Sequence, residues 1–504
     1  MTPAADNASL TYDVVVIGGG PGGATVATLL AKAGRSVLVV ERARFPRFHI
    51  GESLMPESYW TFQRLGMLPR LKASNFVRKH SVQFVTATGK ESQPFFFDEM
   101  NPHECSVTWQ IVRSEFDKMM LDNAREHGAE VWENANVTDV LLEPSDTDDL
   151  PRATGVVVRR NANVRLAEVG QEIPGAPLQG TSKGSGFGVQ GSANTEEALA
   201  RPPLPEPQTL NPEPSSPRTL NPEPSAVTVR AKVVVDATGT SAMLARRLGI
   251  KQIDPGLRKV SYFTHYKGGR RDEGKNEGAT LVLSTAAGDG WFWYIPLPDD
   301  MVSVGVVADL DRVVSQYKSV GATPEQILDE EIKGCRGLDD RMAAATRVGP
   351  VHVLSDFSYR ATRCAGDGWV LVGDAFGFLD PMYSSGVFLA LKSGELAADT
   401  IDQALTKNDT SAAQLSKWGD QLADGMTSIR KLVYAFYTKG FSFGKFIREN
   451  PEMKKNLVDL LIGNVFYEGV NDIFTPMGRT VALPEAIPLD KPKSCECRVA
   501  SCEL

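Results

Sequence analysis

Cysteine is scarce in this chain. Six in 504 residues cannot form the disulfide framework of a small secreted domain. Three of them, Cys495, Cys497 and Cys502, crowd the end after the proline-rich run Pro484–Pro492, which predicts a flexible tail over 483–504 rather than a metal site. Cys502 stands third from the end, the wrong place for a prenylation signal. Basic residues are not in excess: 54 Lys and Arg against 62 Asp and Glu leave a formal net charge of −8, with no broad footprint for nucleic acid. No uninterrupted apolar run reaches the ~18 residues of a membrane span, and Met1–Thr11 lacks the basic-then-apolar order of a secretory signal. A cytoplasmic protein is expected. Apolar residues make up an ordinary 42% of the chain, enough at this length for a large core.

Glycine is placed where it carries meaning. Tyr12–Ile17 is a short apolar run, Gly18, Gly20 and Gly23 follow in G-x-G-x-x-G spacing, and Ala24–Lys32 reads as a helix. Arg35–Glu41 reads as a second strand that ends in an acid. The first glycine permits a tight turn, the second lets backbone approach a pyrophosphate, and the third lets helix and strand pack closely. Glu41 is placed to accept hydrogen bonds from ribose hydroxyls. The register of strand, glycines, helix, strand and acid predicts a dinucleotide site, where glycines alone would not.

Three later segments favour FAD over NAD. Gln110–Asp117 opens a helix from which Arg113 could reach the cofactor or make a surface ion pair; Val233–Gly239 is a strand entering a glycine turn; Trp369–Asp374 is another, followed by Ala375–Pro381. The last resembles the G-D segment of FAD enzymes of the p-hydroxybenzoate hydroxylase type. That resemblance implies an α/β fold with a Rossmann-like FAD-binding domain, in which Asp374 holds the ribityl chain and Pro381 lies by the cofactor.

Four places narrow the resemblance further. Trp291-Phe-Trp-Tyr-Ile-Pro296 matches a W-x-W-x-I-P pattern; on a strand, Trp291, Trp293 and Ile295 share one face and Phe292 and Tyr294 the other. Phe45–Pro56 is a loop with the order G-E-S-x-x-P; Asp380-Pro-Met-Tyr-Ser-Ser-Gly386 precedes the helical run Val387–Leu405; Lys79 lies in Asn75–Phe84, where Lys79, Ser81 and Gln83 would share a polar strand face. Together they resemble the flavin-dependent halogenases. The resemblance implies that reduced FAD, oxygen and chloride or bromide yield hypohalous acid, which Lys79 delivers to an electron-rich ring. Trp291 and Trp293 would keep flavin and substrate apart. Ser385 and Gly386 would hold the halide, at a helix start whose unpaired N–H groups favour anions; a plain cap by Ser384 or Ser385 is the alternative. Arg78 is the neighbour that a one-residue shift would select in place of Lys79.

One departure bears on the substrate. Tyr383 stands where tryptophan halogenases carry a glutamate, and the chain after the halide segment is short for their substrate lid. A phenol or pyrrole, activated by its own lone pair, is therefore expected, either free or bound to a carrier protein. A separate flavin reductase is the implied partner. An aromatic hydroxylase using NAD(P)H, a prenyl-chain reductase and a flavin-binding scaffold remain alternatives.

The expected organisation is an FAD-binding domain from 1–79, 110–161, 226–254 and 356–405, with a mixed β-sheet substrate domain from 80–109 and 255–355. Ala279–Thr285, Trp291–Leu297 and Val302–Ala308 read as an antiparallel meander with the tryptophan strand in the middle. Ala153–Arg159 and Ala226–Arg230 read as strands of a small sheet interrupted by a disordered, low-complexity insertion over 162–225, in which Thr209–Pro214 recurs as Thr219–Pro224. Residues 406–482 read as a helical C-terminal region. Its aromatic clusters, Tyr434–Tyr437 and Phe441–Phe443, either line the substrate site or pack.

Overall fold

A computed structural model describes residues 10–99, 102–160, 226–317 and 320–492. The insertion at 162–225 and the three C-terminal cysteines lie outside the described residues. No helix among the described residues is long and apolar enough to cross a membrane.

The apolar run before the glycines lies in strand Leu10–Ile17, whose last four residues are buried, as expected of a parallel strand covered on both faces. It pairs in parallel with Val37–Val40 on one side and Ala226–Asp236 on the other. Glu130–Trp132 and Trp369–Leu371 extend the parallel ladder outward. Helix Pro21–Lys32 follows the first strand, with Pro21–Leu30 all buried. Ala226–Arg230 and the segment from Val233 prove to be one strand of 11 residues. Its first part pairs antiparallel with Arg152–Arg160, so the expected small sheet is continuous with the parallel one. Nothing between Arg230 and Val233 breaks an extended backbone, which is why the two segments join.

The second sheet has seven strands in the order Thr346–Ser355, Lys259–Lys267, Met301–Asp309, Trp291–Pro296, Thr280–Ser284, Ser81–Val85 and Phe95–Phe96. The tryptophan strand is its middle member, antiparallel to both neighbours. Strand periodicity divides that strand between two cores. Trp291, Trp293 and Ile295 pack into the large cluster shared with the first sheet, whereas Phe292 and Tyr294 pack into a second cluster with Val313, Ile327 and Leu328.

Two segments depart from expectation. Asn75–Phe84 is not one strand, because it breaks at His80. Val77–Lys79 pairs with Thr108–Gln110 in a separate two-stranded sheet, and Ser81–Val85 joins the seven-stranded one. Thr108–Gln110 is thereby outside the large sheet. The polar side chains Lys79, Ser81 and Gln83 are all buried, and Phe84 is the exposed one, an inversion of the usual alternation that calls for polar partners inside.

Gly305 faces Trp293 across the ladder. A Cβ there would sit 2.3 Å from the indole, so the sheet holds Trp293 flat only because its neighbour has no side chain. Gly305→Ala should destabilise the protein by about 1–3 kcal/mol through overpacking, read as a lower urea midpoint; an unchanged midpoint would mean that the indole has room to move.

Candidate active site

The glycine turn is built to admit a ligand. Gly18 adopts a φ of +105°, a Cβ on it would meet the Ala237 carbonyl at 2.4 Å, and a Cβ on Gly23 would meet the Gly18 carbonyl at 2.1 Å. At Gly20 the nearest atom is the Arg47 guanidinium at 3.6 Å, and no side chain caps the helix that begins there. The space, the free N–H groups and the cation suit a pyrophosphate. Glu41 accepts hydrogen bonds from the Gly19 and Ala43 amides, both at 2.8 Å, and each carboxylate oxygen keeps a lone pair for a ribose hydroxyl.

Arg113 and Asp117 form a buried bidentate pair at 2.8 and 2.9 Å. Burial would lower the guanidinium's pKa, but Asp117 outweighs it and the net direction is up. The Asp374 carboxylate has no hydrogen-bond donor among the described residues, although its backbone carbonyl accepts from the Tyr359 hydroxyl at 2.7 Å; burial pushes the carboxyl up to about 6 against the pull of Arg113. A carboxylate without a donor at the end of a glycine turn is suited to a ligand's hydroxyls. These residues fit FAD.

Lys79 is 3% exposed. Its Nζ donates to Ser53 Oγ at 2.8 Å and to the Leu54 carbonyl at 3.0 Å, and lies 5.6 Å from the centre of the Phe97 ring. No carboxylate among the described residues pairs with it, and burial brings its pKa down to about 7. Ser53 Oγ lies 3.0 Å from Thr280 Oγ1, which also accepts from Gln110 Nε2 at 2.9 Å. Arg78 makes a different set of contacts: it donates to the Lys72 carbonyl and lies against the Trp109 ring.

Helix Ser385–Lys407 begins abruptly at Ser384, which holds a left-handed φ of +57° and provides no side-chain cap. Ser384 therefore does not cap the helix, and the first-turn N–H groups have no capping side chain among the described residues. Asp380, 1% exposed, accepts from the Met382 amide at 2.9 Å and from the Tyr437 hydroxyl at 3.0 Å. Tyr437 in turn accepts from Trp291 Nε1 at 2.9 Å. Burial, opposed by the Met382 amide, Tyr437 and Lys259, pushes Asp380 up to about 7. Tyr383 donates to the Leu432 carbonyl at 3.2 Å.

The loop Ile50–Leu54 brings much of this together. The Ile50 and Gly51 carbonyls accept from Arg113, Ser53 and Leu54 accept from Lys79, and a Cβ on Gly51 would lie 3.8 Å from Val387 in the first turn of the Ser385–Lys407 helix. Sequence reading missed Ser53, Thr280, Gln110 and Asp380 as parts of the site; Tyr437 belongs to the aromatic cluster offered as either site lining or packing. Ser53 and Asp380 lie inside segments singled out for other residues; Tyr437 carries no signal beyond being aromatic. Among the described residues no group of three or more His, Cys, Asp or Glu could hold a metal.

Two family models match the chain, one described as an FAD binding domain over residues 11–150 and one as tryptophan halogenase over residues 225–475. A 1H-pyrrole-2-carbonyl-[peptidyl-carrier protein] chlorinase of Pseudomonas fluorescens is 26% identical, over 95% of this chain and 94% of the relative. The corresponding brominase of Pseudoalteromonas luteoviolacea is 29% identical, over 90% and 93%. Among solved structures, the flavin-dependent brominase Bmp2 superposes with a TM-score of 0.71 at 28% identity, covering 93% of this chain and 98% of that one.

Two predictions follow from the buried polar groups. Because the folded pKa of Lys79 lies below the ordinary 10.5, the unfolded chain binds the extra proton between about pH 7 and about pH 10.5. Stability from this group is therefore full above that window and is lost as pH falls through about 7. Wild-type stability should rise with pH across the window relative to Lys79→Met, and parallel curves would contradict the shift. Tyr437→Phe leaves Trp291 Nε1 and Asp380 Oδ2 without partners and should cost about 1–3 kcal/mol; a denaturation midpoint equal to that of wild type would show the chain of bonds to be idle.

Proposed function

We propose, for a chain that belongs to the flavin-dependent halogenases, that Lys79 is the residue through which electrophilic halogen reaches an electron-rich ring. Bound as FADH2, the cofactor supplies, with oxygen, the oxidation of chloride or bromide to hypohalous acid. The rest is the work of side chains and backbone. Gly18, Gly20 and Gly23 admit the pyrophosphate, Glu41 the ribose, and Arg113, Asp374 and Pro381 the remainder of the cofactor, which assigns FAD to the parts of the chain that carry the parallel sheet. The N–H groups of Ser385 and Gly386 hold the halide at the start of their helix. Trp291 and Trp293, on the face of the second sheet that packs into the core shared with the first, keep substrate from the flavin.

The observation that carries this reading is the amine of Lys79, buried without a counter-charge and aimed by Ser53 and Leu54. An ammonium in that position donates a hydrogen bond to hypohalous acid and polarises its O–halogen bond; a neutral amine attacks the halogen, forms an N–halogen bond and releases water. With burial bringing its pKa down to about 7, both forms are populated near neutrality.

The substrate class is a pyrrole or phenol. The two relatives named for pyrrolyl groups on a peptidyl carrier protein match this chain over nearly its whole length, which favours a carrier-bound pyrrole. Tyr383, with its hydroxyl on the Leu432 carbonyl, adds no carboxylate to the substrate side, consistent with a ring that needs no further activation. A separate reductase supplies FADH2, and the reaction belongs in the cytoplasm.

The test is an aerobic assay with FAD, a flavin reductase, NADH and either halide, offered simple phenols, pyrroles and carrier-bound pyrrole-2-carboxylate, with products read by mass spectrometry. Halogenated product is expected, with a loss of at least about 10²-fold in Lys79→Ala and FAD affinity retained. Hydroxylated product, or NADH oxidation without the reductase, would contradict the reading.

A further inference from the structure

We propose that Glu52 and His265 form a relay that carries protons between solvent and the interior beside Arg113. The inference rests on the halogenase reading, because that reaction needs such a path. Balanced from reduced cofactor, oxygen, halide and an aromatic C–H to oxidised cofactor, a C–halogen bond and two waters, each turnover draws one additional proton into the site. Lys79 is buried with no carboxylate on its amine among the described residues, so another group must bring that proton in.

Glu52 stands between the residues that serve Arg113 and Lys79. Gly51 before it accepts from Arg113 at 3.3 Å, and Ser53 after it accepts from Lys79 at 2.8 Å. Its backbone is fixed, since its carbonyl accepts from Ile111 at 2.6 Å. The side chain is 1% exposed. One oxygen, Oε1, lies 2.6 Å from His265 Nε2; the other, Oε2, is buried with no hydrogen-bond partner among the described residues. An orphaned carboxylate oxygen costs free energy unless something it is meant to meet is missing.

His265 supplies the outer end. Its side chain is 22% exposed, and Glu52 is its only hydrogen-bond partner among the described residues. It pairs with Ser303 across the sheet, and Ser303 accepts from Trp293 Nε1 at 3.1 Å, so His265 shares the tryptophan face. Phe48 packs edge-on to it and stacks on His352. The charged and titratable groups facing the pair are Arg113 on the inner side and His352 on the outer. Burial would lower the pKa of His265, but the hydrogen bond and charge of Glu52 outweigh it and the net direction is up; His352 is lowered by burial and then by His265.

The transfer balances simply. An imidazolium at His265 gives its Nε2 proton to Glu52 Oε1, leaving a neutral ring and a carboxylic acid. Rotation of the carboxyl presents that proton on the side where Oε2 has no partner. Once the acid has released it inward, the carboxylate and a ring re-protonated from water restore the starting state.

The experiment uses the full-length protein in two readouts. In the first, ring nitrogens of isotopically labelled histidine are titrated by NMR, with the His265 signal assigned by its absence in His265→Gln. The expected result is titration above the ordinary ~6.5, moving down in Glu52→Gln; a His265 indifferent to Glu52→Gln would overturn the relay. In the second, His265→Ala is expected to slow halogenation by about 10²-fold or more at unchanged FAD affinity and to recover in part with added imidazole, whereas Glu52→Gln should be slow and unresponsive to imidazole. A His265→Ala enzyme with wild-type rate, or one that imidazole does not help, would overturn the proposal. If the wild-type protein halogenates nothing, the halogenase reading fails instead, and the titration still decides whether the pair shares a proton.

Discussion

The site depends on two backbone hydrogen bonds that pin one loop. Ile111 donates to the Glu52 carbonyl at 2.6 Å, and Leu54 donates to the Trp109 carbonyl at 3.1 Å. Without this pairing Ser53 and Leu54 would not meet Lys79, and Ile50 and Gly51 would not meet Arg113. Because alternate residues of an extended segment face opposite ways, the same few residues offer a hydroxyl to the lysine and a carboxylate to His265. The strand that carries Lys79 pairs with the strand that holds the loop, so amine and partners are fixed to one small sheet.

That arrangement sustains a chemically unusual group. Removing an ammonium from water without a counter-ion is costly, and the protein answers with neutral acceptors: a hydroxyl and a carbonyl on the amine, with Thr280 and Gln110 behind the hydroxyl. Neutral acceptors hold the amine in place without holding it charged. A carboxylate there would have raised its pKa and suppressed the nucleophilic form. The same logic runs through Asp380, a buried acid satisfied by a phenol and an amide, which links the segment before the Ser385–Lys407 helix to the middle strand of the second sheet through Tyr437 and Trp291.

Local patterns were legible and long-range partnerships were not. The glycine spacing specifies a turn within a few residues, so strand, turn and helix at Leu10–Lys32 could be read directly. The meander around Trp291–Pro296 was equally plain, because period-two alternation and Gly and Asp turns bound each strand. The strand Ala226–Asp236 was read as two because its halves serve different neighbours, a fact of pairing rather than composition. The break at His80 was hidden for the same reason, since strands on either side of it join different sheets. The sequence offers Lys79 by position in a motif, but its partners come from residues 53 and 54, with Thr280 behind the Ser53 hydroxyl. The aromatic cluster Tyr434–Tyr437 was left between two roles; one hydroxyl of it reaches Asp380, 57 residues away, and no pattern of spacing could announce that.

The claim on which the account turns is that Lys79 exchanges its proton near neutrality while remaining buried. It is measured most directly by following the Cε–Nζ resonances of isotopically labelled lysine through a pH titration, with the Lys79 signal identified by its loss in Lys79→Met. The account predicts that Lys79 titrates near pH 7, well below the ordinary ~10.4 of a free lysine. A Lys79 that stays charged up to pH 10 would contradict it, leaving the hydrogen-bonding ammonium as the only form available to the reaction.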